Sequence, residues 1–285
     1  MEKKIIENAS FGQERALYAA KGVKLIGCRF EGIEDGESAL KESSSVELEN
    51  CYMDLRYPFW HVKGISVSSS ELTPNCRAAL WYSSSIDVKQ SKMFGIKAIR
   101  ECQNVNLEGV EVLSPEFGWR SHSISIKDSR IESEYAFFES DGIKADNLRF
   151  NGKYSFQYTR GLHLSHCILD TKDAFWHCEG AVIEDCEVNG EYLAWYSKDL
   201  TFINCRIKGT QPFCYCQNLR LVDCVFEGSD LAFEYSEANG NCLGHIASIK
   251  NFRLGELSCE QVDQIIKTED SVYPCLGKVL PFGRG

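Results

Sequence analysis

No stretch of these 285 residues reaches the roughly 18 consecutive apolar side chains that a membrane-spanning helix requires. The start of the chain, Met1-Glu2-Lys3-Lys4-Ile5-Ile6-Glu7-Asn8, is basic but leads into no apolar run of secretory length. The expectation is a soluble, cytoplasmic protein with no membrane partner. Basic residues are also short: 31 Lys and Arg stand against 41 Asp and Glu, a net charge of −10. That balance disfavours nucleic acid, which is held by clustered cations, and makes a strongly anionic substrate awkward without a local basic patch. Disorder is not indicated, because 44% of residues are hydrophobic and only 25% charged. The length allows one large domain or two small ones.

What the chain does have is a repeat, the first thing to seek because it decides the fold. Gly22-Val23-Lys24-Leu25-Ile26-Gly27-Cys28-Arg29-Phe30 aligns with Asn218-Leu219-Arg220-Leu221-Val222-Asp223-Cys224-Val225-Phe226 in an apolar-x-apolar-x-x-small-x-apolar frame. The small position recurs at Cys28, Cys51, Ser70, Ser91, Val110, Ser129, Leu148, Cys167, Cys186, Cys205 and Cys224. The spacings are 23, 19 and 21, then seven steps of 19. Alternation within each run is the period-2 signature of strands. Asn or Asp before the small position (Asn50, Asp128, Asn147, Asp185, Asn204, Asp223) suits a left-handed turn residue.

Three short strands in each period leave no room for a helix, so successive coils must stack in parallel at about 4.8 Å, with right-handed crossover the default. A leucine-rich repeat would need Leu three residues before the first apolar column. That position instead holds Ser43, Val62, Ser83, Cys102, Ser121, Ser140, Thr159, Cys178, Ser197, Cys216 and Tyr235. A left-handed β-helix would show a hexapeptide period, which does not divide a 19-residue coil. The expected fold is all-β, a right-handed single-stranded parallel β-helix of about 11–12 coils. Residues 1–21 form an N-terminal cap and partial coil, 22–240 the β-helix, and 241–285 a capping strand, helix and tail. The capping helix rests on a capping box, Ser258-x-x-Gln261, followed by Val262, Ile265 and Ile266.

Fourteen cysteines do not imply a disulfide framework. Cys28, Cys51, Cys167, Cys186, Cys205 and Cys224 share one inward column, where thiol serves as a small buried hydrophobe. Cys214-x-Cys216 lacks a second ligand pair, so neither metal nor cofactor is expected.

The repeat resembles the pectin-lyase-like superfamily of right-handed β-helices. Phe11-Gly12-Gln13-Glu14-Arg15-Ala16-Leu17, Gly36-Glu37-Ser38-Ala39-Leu40-Lys41-Glu42, Tyr57-Pro58-Phe59-Trp60 and Gly244-His245-Ile246-Ala247-Ser248-Ile249-Lys250-Asn251 look like an uncharacterised bacterial family within it. The resemblance implies the fold and carries no assigned reaction. Neither a pectate-lyase-like set of calcium-binding aspartates nor a polygalacturonase-like Asp-Asp pair is present.

The third strand carries the unusual chemistry. One column reads Glu42, His61, Tyr82, Glu101, Arg120, Glu139, Tyr158, His177, Tyr196, Tyr215 and Glu234. Two residues earlier runs a column with Phe59, Leu80, Ile99, Phe137, Phe156, Phe175 and Phe213. Strand alternation puts both on one face. The cost of burying unpaired charge assigns that face outward, and assigns the Trp60, Trp81, Trp119, Trp176 and Trp195 column inward.

On this reading Glu101, Arg120 and Glu139 are catalytic candidates. The two glutamates lie two coils apart, about 9.6 Å between Cα atoms, near the separation of an inverting glycosidase. His61, Tyr82, His122, Asp141, Phe156, Tyr158, Phe175, His177, Tyr196 and Tyr215 would contact an oligo- or polysaccharide. The function expected is a carbohydrate-interacting β-helix, a polysaccharide hydrolase or lyase. Its rivals are a non-catalytic binding module and a homo-oligomer joined through an exposed Phe stripe. A Glu–Arg–Glu ladder that only keeps strands in register explains the same three residues.

Overall fold

A computed structural model describes residues 3–32 and 36–283, so the outermost two residues of each expected end cap lie outside the described residues. The chain is an all-β parallel solenoid in which strands of successive coils pair with one another. It divides into two compact units, residues 1–144 and 145–285.

In the first unit Lys21–Ile26, Ser44–Glu49, Lys63–Ser68, Ser84–Lys89 and Gln103–Glu108 pair in parallel, one strand per coil. The register sets Val23 beside Val46, Ile65, Ile86 and Val105, and Leu25 beside Leu48, Val67, Val88 and Leu107. All are buried, as are Phe30, Met53, Leu72, Met93 and Val112 of the third apolar column. The second unit repeats the plan: Leu162, Ala181 and Leu200 stack, and beside them Leu164, Ile183 and Phe202. The sequence columns are thus the core.

The corners explain the polar part of the repeat. Asn50, Asp128, Asn147, Asp185, Asn204 and Asp223 are left-handed, with φ between 49° and 53°, as their side chains permit. Such a bend interrupts the ladder of backbone hydrogen bonds, and a buried donor left alone there is costly. The small residue that follows repairs it. Ser70 Oγ accepts the Cys51 N–H at 2.9 Å and donates to Ser68 O at 2.7 Å. Ser91 and Ser129 serve the N–H groups of Ser70 and Val110 in the same way. In the second unit Cys186 Sγ accepts from Cys167 N at 3.3 Å and donates to Glu184 O at 3.1 Å. A second set of hydroxyls serves the next corner, where Ser83, Ser121 and Ser140 accept from Val62, Cys102 and Ser121.

The third side departs from the strand expected there. In the first unit it contains only two-residue strands such as Phe59–Trp60, Leu80–Trp81 and Ile99–Arg100. A left-handed residue follows each of them. In the second unit Phe156, Phe175 and Phe213 are themselves left-handed, with φ of 56°, 62° and 61°. Residues two apart therefore do not share a face. Phe59, Phe137, Phe156, Phe175 and Phe213 are buried in the core, not exposed. The Trp column is not inward either: Trp60, Trp119, Trp176 and Trp195 lie half-buried along the side. Each indole N–H donates to a backbone carbonyl of the next coil, those of Ala78, Tyr135, Tyr192 and Gln211.

The capping helix is also corrected. Leu254–Ile266 is one strand of 13 residues, parallel to Glu237–Lys250, with Val262 beside Ile246 and Ile265 beside Ile249. β-Branched side chains favour that state. The open edge of the preceding coil supplies backbone partners that a helix, bonded to itself, would leave unused. Ser258 Oγ bonds Pro281 O of the last strand, not a helix terminus.

Candidate functional site

The left-handed corner that closes the third side carries its side chains into solvent. In residues 1–144 His61, Tyr82, Glu101, Arg120 and Glu139 occupy it, with φ between 50° and 56°. His61 lies against Tyr82 with ring centroids 5.3 Å apart. Arg120 Nε donates to Glu139 Oε2 at 2.7 Å, and His122 Nδ1 lies 2.8 Å from Asp141 Oδ2. The hydrogen bond that Arg120 donates to Glu139, then the carboxylate's charge, raises the pKa of Arg120.

The three catalytic candidates share a column but not a set of contacts. Glu101 turns to Arg100, whose Nε lies 3.4 Å away. Arg100 is the residue that sequence reasoning passed over. Its guanidinium carbon lies over Trp81 at 5.1 Å and over Trp119 at 5.2 Å, and Nη1 reaches Glu116 at 3.4 Å. The signal was available, as a cation standing in a column of indoles fits a cation–π sandwich. A glycosidase acid must be withdrawn from water to keep its proton. Glu139 is 44% exposed and held by a guanidinium. Arg120 and Glu139 form one ion pair, and Glu101 forms another with Arg100.

In residues 145–285 the same corner builds a different surface. Tyr158, His177, Tyr196 and Tyr215 stack in sequence with centroid separations of 4.6, 5.2 and 4.6 Å and interplanar angles of 10–13°. Tyr158 and Tyr196 are 48% and 47% exposed. Burial, then the negative Glu234, pushes the Tyr215 phenol up to about 12, which keeps it a neutral donor. Because the rings cover one another's faces, the row offers solvent its edges, phenolic oxygens and imidazole nitrogens. Phe156 and Phe175, expected on this surface, are fully buried beneath it, stacked at 5.5 Å. The Phe stripe expected to be exposed therefore lies in the core.

Other histidines pair with acids: His163 with Glu184 and His166 with Asp146, each at 2.8 Å, and His245 with Asp263 at 2.7 Å. His166 stands in the Asn/Asp corner column, one period from Asn147 and from Asp185, so its place was legible. Two surface depressions lie away from the candidate residues. One, of about 350 Å³, is lined by Lys3, Glu47, Ser66 and Asp87; the other, of about 420 Å³, by His166, Asp185, Asn204 and Arg206. Among the described residues no group of three or more His, Cys, Asp or Glu is arranged to hold a metal ion.

Comparison with known proteins gives one family match and no assigned activity. No curated protein matches the chain. Among solved structures it is similar to the surface adhesin PfbA of Streptococcus pneumoniae, at 9% identity over 88% of this chain and 86% of that one, with a TM-score of 0.40. It is also similar to the mannuronan C-5 epimerase AlgE4 A-module of Azotobacter vinelandii (10% identity, 97% and 91% covered, TM-score 0.29). A third is the catalytic unit of the GH87 α-1,3-glucanase of Streptomyces thermodiastaticus (8% identity, 98% and 63% covered, TM-score 0.27). One family model, described as "Protein of unknown function (DUF3737)", matches residues 4–279.

Proposed function

The chain belongs to the DUF3737 family, and from that premise we propose that it is a carbohydrate-binding β-helix whose contact surface is the outward row Tyr158, His177, Tyr196 and Tyr215. The observation that carries this reading is the register of the row: four rings on four successive coils, spaced 4.6–5.2 Å. Rigid aromatic side chains lose little entropy on binding. A line of phenol and imidazole groups can exchange hydrogen bonds with the hydroxyls of a sugar chain lying along the stack. Stacking of sugar faces on the rings is limited, because neighbouring rings take up the faces within the row and Tyr235 lies 5.6 Å beyond Tyr215. Binding is favoured over catalysis because Arg120 already pairs with Glu139 while Glu101 contacts Arg100.

The test is affinity for a panel of soluble glycans by calorimetry. Tyr196→Ala is expected to weaken binding at least about tenfold, roughly 1.4 kcal/mol, while Glu139→Gln leaves it unchanged. Binding to no glycan, or equal affinity in wild type and Tyr196→Ala, would overturn the reading.

A further inference from the structure

The corner column of the second unit holds sulfur at six consecutive coils: Cys167, Cys186, Cys205, Cys224, Cys242 and Cys259, all buried and none in a disulfide. Cys224 pairs in register with Cys242, and Cys242 with Cys259. The first three are fixed by flanking pairs, Ser165 with Glu184 and Ile168 with Glu187, then Glu184 with Ile203 and Glu187 with Arg206. Cys167, Cys186, Cys205 and Cys224 each donate to a backbone carbonyl, and Cys186 also accepts the Cys167 N–H. In the first unit Ser70, Ser91 and Ser129 make such bonds with oxygen. Sulfur is therefore not required by the fold, and its unbroken use needs a chemical reason.

We infer that this column is a site for soft monovalent d¹⁰ cations, Cu(I) or Ag(I), each held in line between the thiolates of two adjacent coils. Thiolate is the ligand that selects such ions. A digonal S–metal–S unit spans roughly 4–5 Å, which matches the strand spacing of about 4.8 Å. Two ligands suffice, so the absence of a larger donor cluster among the described residues is no obstacle. Cys167, Cys186 and Cys205, though buried, are among the residues that line the depression of about 420 Å³, with His166, Asp185 and Arg206. The first ion displaces two thiol protons, which leave to solvent through the depression. Each further ion shares one sulfur with the last and displaces one more proton, so the ladder carries a single net negative charge however many sites fill.

The full chain, reduced and kept anaerobic, is titrated with Cu(I) against a chromogenic Cu(I) chelator. The near-ultraviolet sulfur-to-copper charge-transfer band is followed. The expected result is uptake of more than one equivalent, a weaker band and fewer copper equivalents in Cys186→Ser/Cys205→Ser, where only Cys224, Cys242 and Cys259 remain adjacent, and full retention in Cys275→Ser, which lies outside the column. Serine already serves this corner in the first unit, so the double variant should fold. Should it not, X-ray absorption of the copper-loaded wild type decides, with two sulfur neighbours per copper expected. No band in the wild type, a band undiminished in the double variant, or copper bound by nitrogen or by three sulfurs overturns the inference.

Discussion

Phe175 and His177 are two residues apart, yet one is fully buried and the other exposed. Both have positive φ, 62° and 53°. Left-handed residues turn the chain, so the strand rule that i and i+2 share a face fails at this point. The charge argument correctly put the Glu/His/Tyr column outside, and the alternation rule then wrongly carried the Phe column with it. Phe175→Ala is expected to cost about 3–5 kcal/mol of unfolding free energy, the cost of emptying a packed aromatic site. An exposed Phe would lose under about 1 kcal/mol. Urea unfolding distinguishes the two.

His166 gives a second test at this scale. Its hydrogen bond to Asp146, then the charges of Asp146 and Asp185, raise its pKa above the ordinary 6.5. A folded-state pKa raised above the unfolded value contributes stability that is complete below about pH 6.5. That contribution is lost as the pH rises through the folded value. Asp146→Asn should flatten the fall in urea midpoint between about pH 6 and pH 8. An unaltered profile would count against the pair.

Among the elements, the corner is the unit that gives this repeat its composition. Ser83 Oγ accepts the buried Val62 N–H at 3.0 Å and donates to Phe59 O at 2.8 Å. Ser83→Ala should destabilise by about 1–3 kcal/mol, the cost of a stranded buried donor, and Ser83→Cys by clearly less. Equal losses in thermal unfolding would mean that volume, not hydrogen bonding, matters there. The sequence showed these positions as small and polar, and nothing in their spacing revealed that each one closes a broken ladder. The C-terminal segment misled for a related reason. Ser258 and Gln261 fit a capping box locally, but a capping box cannot report that an unpaired strand edge lies alongside. Tertiary pairing decided in favour of Leu254–Ile266 as a strand.

For the molecule as a whole, the fold was legible because it is repetitive. Eleven copies of one frame average out local ambiguity, and the apolar columns read from sequence are the buried registers within each unit. The site was less legible because function here depends on which way a corner residue points, a matter of one dihedral angle and not of pattern. Glu101, Arg120, Glu139, Tyr158, His177, Tyr196 and Tyr215 were chosen by column. The structure divides them into two separate ion pairs, Arg120 with Glu139 and Glu101 with Arg100, and an aromatic row.

Hydroxyl-radical footprinting of the native chain, read by peptide mass spectrometry, tests that division most directly. The account predicts rapid oxidation of Tyr158, His177 and Tyr196, with Phe156 and Phe175 on the same peptides protected to the level of the core. Comparable oxidation of the phenylalanines and their tyrosine and histidine neighbours would show the third side to be an ordinary strand, and would contradict it.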